Sequence, residues 1–251
     1  MQAKRDFNRL VGEADQLNFE GWDFSSIAGR WREQPPFWDY RQIVSTYLPQ
    51  ADSLLDMGTG GGEFLASLPA LPPHTCATEN YPPNVPVARK RLEPLGVQVT
   101  SFATDQNLPF ADAEFALVIN RHESYDPVEV RRILRPGGIF ITQQVGGRDN
   151  LALNQHLLGH AEAVYEEWYL ANAVAELEAV GFTIYKAEED FPPTQFYDIG
   201  AVIFYLQAIP WQIPGFCVEA YREQLFALHK HILDAGALTA TSHRFLIIAR
   251  R

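Results

Sequence analysis

The stretch from Leu54 to Leu65 constrains the fold most, because it joins a short buried strand to a helix through a glycine-rich turn. It reads L-L-D-M-G-T-G-G-G-E-F-L, with four glycines among five positions. Glycine has no Cβ, so the backbone of such a turn can approach a ligand closely. Glycines so near one another weaken a fold unless something requires them. We therefore expect this turn to form a binding loop of the nucleotide type.

The glycine turn departs from the two common phosphate-binding loops. The dinucleotide pattern G-x-G-x-x-G fits Gly58 and Gly60 but requires Gly or Ala at position 63, where this chain has Glu63. No Gly-Lys-Ser/Thr follows, which excludes a P-loop. Asp56 and Glu63 place carboxylates on both sides of the turn, and carboxylates attract cations and accept hydrogen bonds from hydroxyls. A cation that carries a ribose, such as S-adenosylmethionine (SAM), suits the loop better than a pyrophosphate does.

The segment D-M-G-T-G-G-G resembles motif I of the class I SAM-dependent methyltransferases, which usually reads hydrophobic-D-x-G-x-G-x-G. The stretch A-T-D-Q-N-L-P-F, residues 103–110, resembles the family's G-D-A-x-x-L-P-F, and L-R-P-G-G, residues 134–138, resembles its turn into a strand. The likeness covers residues 51–147 well and is closest to the broad type 11 group. It implies an α/β, Rossmann-like sheet of seven mainly parallel strands with an antiparallel last strand and helices on both faces.

The resemblance also assigns residues to the cofactor. Glu79 follows Asp56 by about twenty residues, the spacing at which an acidic residue meets a ribose in such sheets. By the resemblance, Glu79 accepts hydrogen bonds from both ribose hydroxyls, Asp105 accepts from the adenine amino group, and the Gln106 N–H meets a ring nitrogen. The predicted cofactor-binding residues are Asp56, Gly58, Thr59, Gly60, Gly62, Glu79, Asn80, Asp105, Gln106 and Asn120.

Hydrophobic periodicity and chain breakers predict the elements around these loops. The predicted strands are 53–57, 74–79, 97–102, 114–119, 139–145, 182–187 and 243–249. The predicted helices are 37–48, 64–68, 85–95, 127–134, 161–180, 201–208 and 218–233. We expect one methyltransferase domain made of an N-terminal arm (1–36), a core of sheet and helices (37–189), an inserted helical cap (190–240) and the last strand (241–251).

The inserted segment 190–240 separates two strands that class I members normally join directly. Its aromatic residues exceed what a solvated loop needs. We expect it to form, with the arm, a cap over the carboxyl edge of the sheet that sets acceptor choice, with Tyr197 and Trp211 as substrate contacts. The alternatives are a satellite core, or a dimer interface that would make the protein a homodimer. Residues Trp22 to Phe24 either pack on the domain surface or fold over the cofactor cleft.

Asn120-Arg121-His122-Glu123 follows the predicted strand 114–119, at the carboxyl edge where open α/β sheets hold their ligands. Methyl transfer is an in-line displacement, so a general base helps only if the acceptor must lose a proton near the transition state. His122 is the predicted catalytic residue, and Arg121 and Glu123 are predicted substrate contacts. The alternatives are an ordinary loop histidine and an ion pair between Glu123 and Arg121.

Composition limits the partners. The 251 residues include 31 acidic and 20 basic side chains, a net charge of −11, which disfavours a large nucleic-acid footprint. The chain shows no apolar run of membrane length, no secretory signal and no metal-ligand pattern around its cysteines, so we expect a cytoplasmic protein without a metal. The sequence predicts SAM-dependent methyl transfer to an unidentified small-molecule acceptor. An RNA acceptor, or a SAM-binding protein without catalysis, is the alternative.

Overall fold

The computed structural model describes residues 2–17, 19, 24–102, 104–161 and 164–251. Its strands are β1 (Trp31–Glu33), β2 (Ser53–Met57), β3 (His74–Thr78), β4 (Gln98–Thr100), β5 (Phe115–Arg121), β6 (Leu134–Val145), β7 (Thr183–Asp190), β8 (Pro193–Phe196), β9 (Leu238–Thr241) and β10 (Arg244–Arg250). Its α-helices are α1 (Gln2–Ala14), α2 (Tyr40–Tyr47), α3 (Glu63–Ala66), α4 (Asn84–Leu92), α5 (Pro127–Ile133), α6 (Leu151–Leu158), α7 (Leu170–Ala179), α8 (Ile199–Ala208) and α9 (Arg222–Ala235).

A seven-stranded sheet carries the glycine loop. Its strand order is β4-β3-β2-β5-β6-β10-β7, and β10 runs antiparallel to both of its neighbours. The pairs that β2 forms with β3 and β5 are parallel. Every residue of β2 is buried, as expected for a parallel strand that is covered on both faces. The predicted Rossmann-like sheet with an antiparallel last strand is confirmed.

Alternation along the strands divides the core between the two faces of this sheet. Leu54 belongs to one core cluster with Leu92 of α4. Its neighbour Leu55 belongs to the other, with Val130 of α5 and Leu177 of α7. Full burial of such a side chain contributes about 1.5–3 kcal/mol. Helices on both faces are therefore needed to cover the two sides of β2, as the sequence predicts.

The predicted helix 161–180 is wrong in its first half and present as α7 in its second, and the other predicted elements are present with ends shifted by a few residues. Gly159 ends α6 in the left-handed conformation, and α7 begins eleven residues later, at Leu170. Residues 162 and 163 of the predicted helix lie outside the described residues. Between α6 and α7, the Trp168 carbonyl accepts a hydrogen bond from the Gly147 N–H at 2.6 Å. The Trp168 ring lies 5.5 Å from that of Phe245. These tertiary contacts override the local helical periodicity.

A smaller sheet and four helices form a second layer, which we call the accessory layer (the described parts of 2–33, 151–158 and 193–241). Its sheet has the order β1-β8-β9 and is antiparallel. Helices α1, α6, α8 and α9 surround a hydrophobic core separate from those of the main sheet. The predicted helical cap is therefore incomplete, because the segment also contains strands. No helix within the described ranges has the length and apolar character that a membrane crossing requires.

The core of the accessory layer explains the aromatic surplus of the insertion. Phe196 and Phe204 are buried in it, and α8 is buried at every position except Gln207. Phe24 lies in the same layer, with its ring 5.3 Å from that of Trp31. This contact fits the packing interpretation of the aromatic arm. Trp22 and Asp23 of that prediction lie outside the described residues.

Arg244 joins the accessory layer to the carboxyl edge of the main sheet. It starts β10, opposite the end of β6, and is 7% exposed. Its guanidinium forms ion pairs with Glu33 of β1 and with Asp149, which follows β6, both at 2.5 Å. Tyr205 of α8 donates a hydrogen bond to Asp149 at 3.2 Å. The accessory layer is thus attached at the edge where the parallel strands end.

Candidate cofactor and acceptor site

The glycine loop runs from the carboxyl end of β2 into α3. Gly58 and Gly62 have φ angles of 68° and 82°, in the left-handed region that a residue with a Cβ enters at a cost. The Gly58 N–H donates to the Thr78 hydroxyl at 3.2 Å, and the Thr59 N–H donates to the Thr78 carbonyl at 2.8 Å. These bonds hold the loop against the end of β3, where the next predicted cofactor residues lie.

The two carboxylates that flank the turn in sequence are both engaged within the protein. Asp56 is buried, and its Oδ2 accepts from the Thr59 hydroxyl at 2.7 Å. Burial raises the pKa of Asp56 to about 6 although this bond opposes the rise. Glu63 is ion-paired with Arg91, whose guanidinium also donates to the Gly61 carbonyl. Asp56 therefore holds the turn, and the charge of Glu63 is offset by Arg91.

Glu79 lies at the end of β3 and contacts the loop directly. Its carboxylate accepts from the Tyr81 N–H at 2.7 Å, and the Gly60 backbone and the Asn84 side chain lie close enough to favour its ionised form. Burial raises the pKa of Glu79 despite these bonds. The structure therefore brings two predicted cofactor residues, Gly60 and Glu79, into contact.

The next two loops are tied to their neighbours by predicted site residues. The Asn80 Oδ1 accepts from the Phe102 N–H at 2.9 Å, which joins the end of β3 to the end of β4. The Asp105 Oδ2 accepts from the Ser124 hydroxyl at 2.6 Å, which joins the following loop to the loop after β5. The Gln106 N–H donates to the Thr104 hydroxyl at 3.3 Å. Asp105 and Asn80 thus lie at the same carboxyl edge as the glycine loop.

Asn120 has no exposed surface and lies near the end of β5. Its Oδ1 accepts from the Gln144 amide at 2.6 Å and from the Thr142 hydroxyl at 3.1 Å. Its carbonyl accepts from the Tyr40 hydroxyl at 3.0 Å. The amide nitrogen Nδ2, in contrast, has no partner among the described residues. A buried donor without a partner costs about 1–3 kcal/mol, so Asn120 marks a point where a ligand can complete the bonding.

His122 has a left-handed backbone with φ 65°. Its N–H donates to the Gln143 carbonyl at 2.8 Å, and its Nε2 lies 2.9 Å from the Gln143 Nε2. The Gln143 Oε1 accepts from the Trp38 Nε1 at 2.7 Å. His122 keeps solvent-exposed surface, but loss of hydration, followed by the charges of Arg244 and Arg121, lowers its pKa well below the ordinary value. The predicted catalytic residue is therefore neutral at physiological pH.

Glu123 lies over the glycine loop. A Cβ built on Gly58 would lie 2.5 Å from the Glu123 Cβ and 2.9 Å from its Oε2. Burial, followed by the charges of Glu79 and Asp105, raises the pKa of Glu123 to about 7. We call Glu79, Asp105 and Glu123 the acidic cluster. These three carboxyl groups place further acidic side chains beside the glycine loop.

The other predicted acceptor residues have contacts of their own. The Arg121 guanidinium lies over the Phe64 ring, 4.8 Å from its centroid. The Tyr197 hydroxyl donates to Gln195 at 3.0 Å, and Trp211 is 44% exposed in the segment after α8. Tyr197 and Trp211 belong to the accessory layer and Arg121 to the end of β5. Their contact with one acceptor stays a prediction.

Sequence reasoning missed Trp38, Gln143 and Gln144. Trp38 counts only as an apolar position of a predicted helix, and the two glutamines fall inside the predicted strand 139–145. Both glutamines are buried, and buried amides need hydrogen-bond partners. Two adjacent amides at the end of an otherwise apolar strand are the signal that could have identified them.

Two further features lie away from this site. His74, Cys76 and Glu114 place potential metal-ligand atoms within 4.8 Å of one another at the amino edge of the sheet. His74 and Glu114 bond to each other at 3.0 Å, and burial raises the pKa of the Cys76 thiol to about 11. A cavity of about 420 Å³ opens between α7 and β7, and no predicted site residue lines it.

The segment that carries the glycine loop matches a known protein family. A family model described as a methyltransferase domain matches residues 55–142, from β2 into β6. No curated protein sequence matches the chain.

Solved structures share the fold over most of the chain. A putative methyltransferase from Bacillus halodurans C-125 is 17% identical, with a TM-score of 0.57 over 82% of this chain and 97% of that one. A functionally unknown protein from Deinococcus radiodurans R1 is 14% identical, with a TM-score of 0.57 over 98% and 99%. A putative sarcosine dimethylglycine methyltransferase from Galdieria sulphuraria is 13% identical, with a TM-score of 0.51 over 100% and 98%. Residues 55–142 thus match the methyltransferase domain family, and the sheet that contains them has the Rossmann-like fold of solved methyltransferases.

Proposed function

We propose that this protein is a SAM-dependent methyltransferase that acts on a small-molecule acceptor. The observation that carries the proposal is the meeting of the acidic cluster with the glycine loop. The Gly60 backbone favours the ionised form of Glu79, and the Glu123 side chain covers Gly58. Carboxylates in partly buried surroundings attract a cation more strongly than they would in water. A sulfonium suits this environment, whereas a pyrophosphate would be repelled.

The donor and acceptor groups at the loop fit the cofactor. The carboxylates of Glu79 and Asp105 accept hydrogen bonds, as ribose hydroxyls and an adenine amino group require. The unpartnered Nδ2 of Asn120 offers a buried donor at the same edge. When bound, SAM supplies a methyl carbon already activated by its sulfonium.

The protein contributes position and charge to such a reaction. Orientation of two reactants in one site lowers the barrier to an in-line displacement without any covalent step by the protein. Glu123 can attract the sulfonium when ionised and, with a pKa of about 7, can also accept a proton from the acceptor. The acidic lining and the net charge of −11 favour a small acceptor over RNA.

Calorimetry with SAM, S-adenosylhomocysteine and NAD tests the cofactor. We expect the first two to bind and NAD not to bind, and binding of NAD alone would refute the proposal. Incubation with methyl-labelled SAM and a cell extract then tests the reaction. Label in the low-molecular-weight fraction supports the proposed acceptor class, and label in RNA supports the runner-up. Tight SAM binding without any transfer supports a non-catalytic binding protein.

We also propose that the accessory layer covers the acceptor. The loops after β2, β3 and β4 hold most of the predicted cofactor residues, so the acceptor is expected beside β5 and β6, where Arg244 attaches this layer. Deletion of 190–240 would expose the apolar face of α1 and is a poor test. Tyr197→Ala and Trp211→Ala alter exposed side chains instead. We expect each to lower kcat/KM for the acceptor and to leave SAM affinity unchanged, whereas unchanged kcat/KM in both variants would contradict the proposal.

A further inference from the structure

We infer that His122 acts as a hydrogen-bond donor to the acceptor, held in a single tautomer by Trp38 and Gln143, and not as the base that removes the acceptor's proton. The role toward an acceptor rests on the proposed function. The tautomer follows from the bonding of the free protein alone. Trp38 and Gln143 are positioning residues in this scheme, because they act through His122.

The first step concerns the orientation of the Gln143 amide. The indole Nε1 of Trp38 carries a hydrogen and can only donate. It lies 2.7 Å from the Gln143 side chain, so the atom that faces it must be the amide oxygen. The oxygen and nitrogen of a side-chain amide are usually assigned from their hydrogen-bond partners. Here the indole donor of Trp38 requires the Gln143 oxygen on its side.

The second step concerns the imidazole. With its oxygen turned to Trp38, Gln143 presents its amide nitrogen to the His122 Nε2 at 2.9 Å. An amide nitrogen only donates, so the His122 Nε2 must accept and carries no hydrogen. The neutral ring then has its hydrogen on Nδ1. Protonation would set two N–H groups against each other, which agrees with a pKa of His122 below the ordinary value, as desolvation, Arg244 and Arg121 also require.

The third step concerns rigidity. Trp38 and Gln143 are both 7% exposed, so neither side chain can turn away to solvent. The His122 N–H donates to the Gln143 carbonyl at 2.8 Å, so Gln143 holds both the backbone and the ring of His122. Left-handed backbone at a residue other than glycine persists where the surroundings enforce it, and it clusters at functional sites.

A chemical consequence follows for the acceptor. The only lone pair of the neutral ring is engaged with Gln143, so His122 can offer a hydrogen from Nδ1 but cannot take one up. An acceptor molecule should therefore present an oxygen or nitrogen lone pair to His122, next to the atom that is methylated. Glu123 is the neighbouring group able to take up a proton.

Nitrogen–proton NMR of the imidazole in labelled free protein tests the tautomer. We expect the His122 signals of the neutral Nδ1–H form around neutral pH. Gln143→Glu keeps the shape but replaces the donor by an acceptor, so the hydrogen should move to Nε2 and the pKa of His122 should rise. Trp38→Phe removes the indole donor, so the amide can turn and both tautomers should appear. Wild-type protein in the Nε2–H form, or Gln143→Glu with an unchanged tautomer, would overturn the inference.

Turnover of His122→Asn separates a donor from a base. Asn tolerates left-handed backbone and can still donate a hydrogen bond. We expect a loss of no more than about tenfold, whereas loss of a general base lowers the rate roughly 10²–10⁴-fold. A loss of that larger size with unchanged SAM affinity would overturn the role toward the acceptor. Absence of SAM binding in the wild type would instead refute the proposed function and leave the tautomer result standing.

Discussion

Glu123 titrates near neutral pH because desolvation and two nearby carboxylates oppose its ionisation. Such a group is poised to respond to a cation, since a positive charge beside it would favour the ionised form and lower its pKa. Binding of a cation and release of a proton are then linked. The same three acids would show no such link with a neutral ligand.

We expect the affinity for SAM to rise with pH through about 7 and to level off above it, because only ionised Glu123 attracts the sulfonium. S-adenosylhomocysteine lacks that charge, so the ratio of the two affinities should follow Glu123. Calorimetry across this pH range measures the ratio. In Glu123→Gln the ratio should no longer change with pH. A ratio independent of pH in the wild type would contradict the role of Glu123.

Glu79→Ala should weaken SAM binding by about 2–4 kcal/mol, because two charge-assisted hydrogen bonds to the ribose are lost. Asp105→Ala should weaken it less, since one bond to a neutral amino group is at stake. Calorimetry gives the affinities, and thermal melts show whether each variant is folded. Equal affinities for wild type and Glu79→Ala would mean that the ribose is held elsewhere.

At the scale of single elements, the glycine loop combines a special backbone with a close neighbour. Gly58 and Gly96 both have positive φ, 68° and 81°. A Cβ on Gly58 would meet Glu123, whereas a Cβ on Gly96 would meet nothing within 4 Å. A comparison of the two glycines thus separates the strain of a positive φ angle from the clash of a Cβ with Glu123.

Gly58→Ala and Gly96→Ala should each lower the free energy of unfolding by about 1–2 kcal/mol through backbone strain. Only Gly58→Ala should also lose SAM affinity, because its Cβ displaces Glu123. Urea unfolding and calorimetry on the two variants provide the comparison. A similar loss of SAM affinity in Gly96→Ala would show that the effect is one of general stability.

Local patterns predicted the main sheet because burial on a strand or helix face leaves a period in the sequence. The strand β1 has only three residues and pairs with β8 across more than 160 positions, so no local period reports it. The candidate site was likewise predicted only where its residues are close in sequence. The glycine loop and Glu79 follow from spacing, whereas the contact of Trp38 and His122 with Gln143 joins three distant segments. Around Trp168 the sequence has a helical period, but tertiary contacts prevent the helix from forming there.

At the scale of the whole molecule, Arg244 is the charged group between the two layers. Burial alone would lower its pKa, but Asp149 and Glu33 hold the pKa above the ordinary value. Burial also raises the pKa of Glu33. Loss of the guanidinium would leave two buried carboxylates without this cation, so Arg244 balances the charge where the layers meet.

Arg244→Met should lower the free energy of unfolding by about 3–5 kcal/mol, the usual cost of removing one partner from a buried ion pair. Arg135→Met is the matched control, because Arg135 pairs with Asp52 at 2.8 Å but at the surface. Its loss should be much smaller, as solvent screens an exposed pair. Denaturant unfolding of both variants measures the difference. Equal losses of stability would show that the two buried ion pairs of Arg244 contribute no more than the exposed pair of Arg135.

The position of β10 has a consequence for synthesis. The strand follows β7 in the chain, yet it lies between β6 and β7 in the sheet, so β7 joins this sheet only through β10. The apolar face of α1 packs against α8 and α9, which come much later in the chain, and His229 of α9 lies 3.1 Å from the Ala3 carbonyl. Contacts between such distant segments form slowly, and incomplete chains expose apolar surface. β7 and the apolar face of α1 therefore stay uncovered until these later segments of the chain have been made.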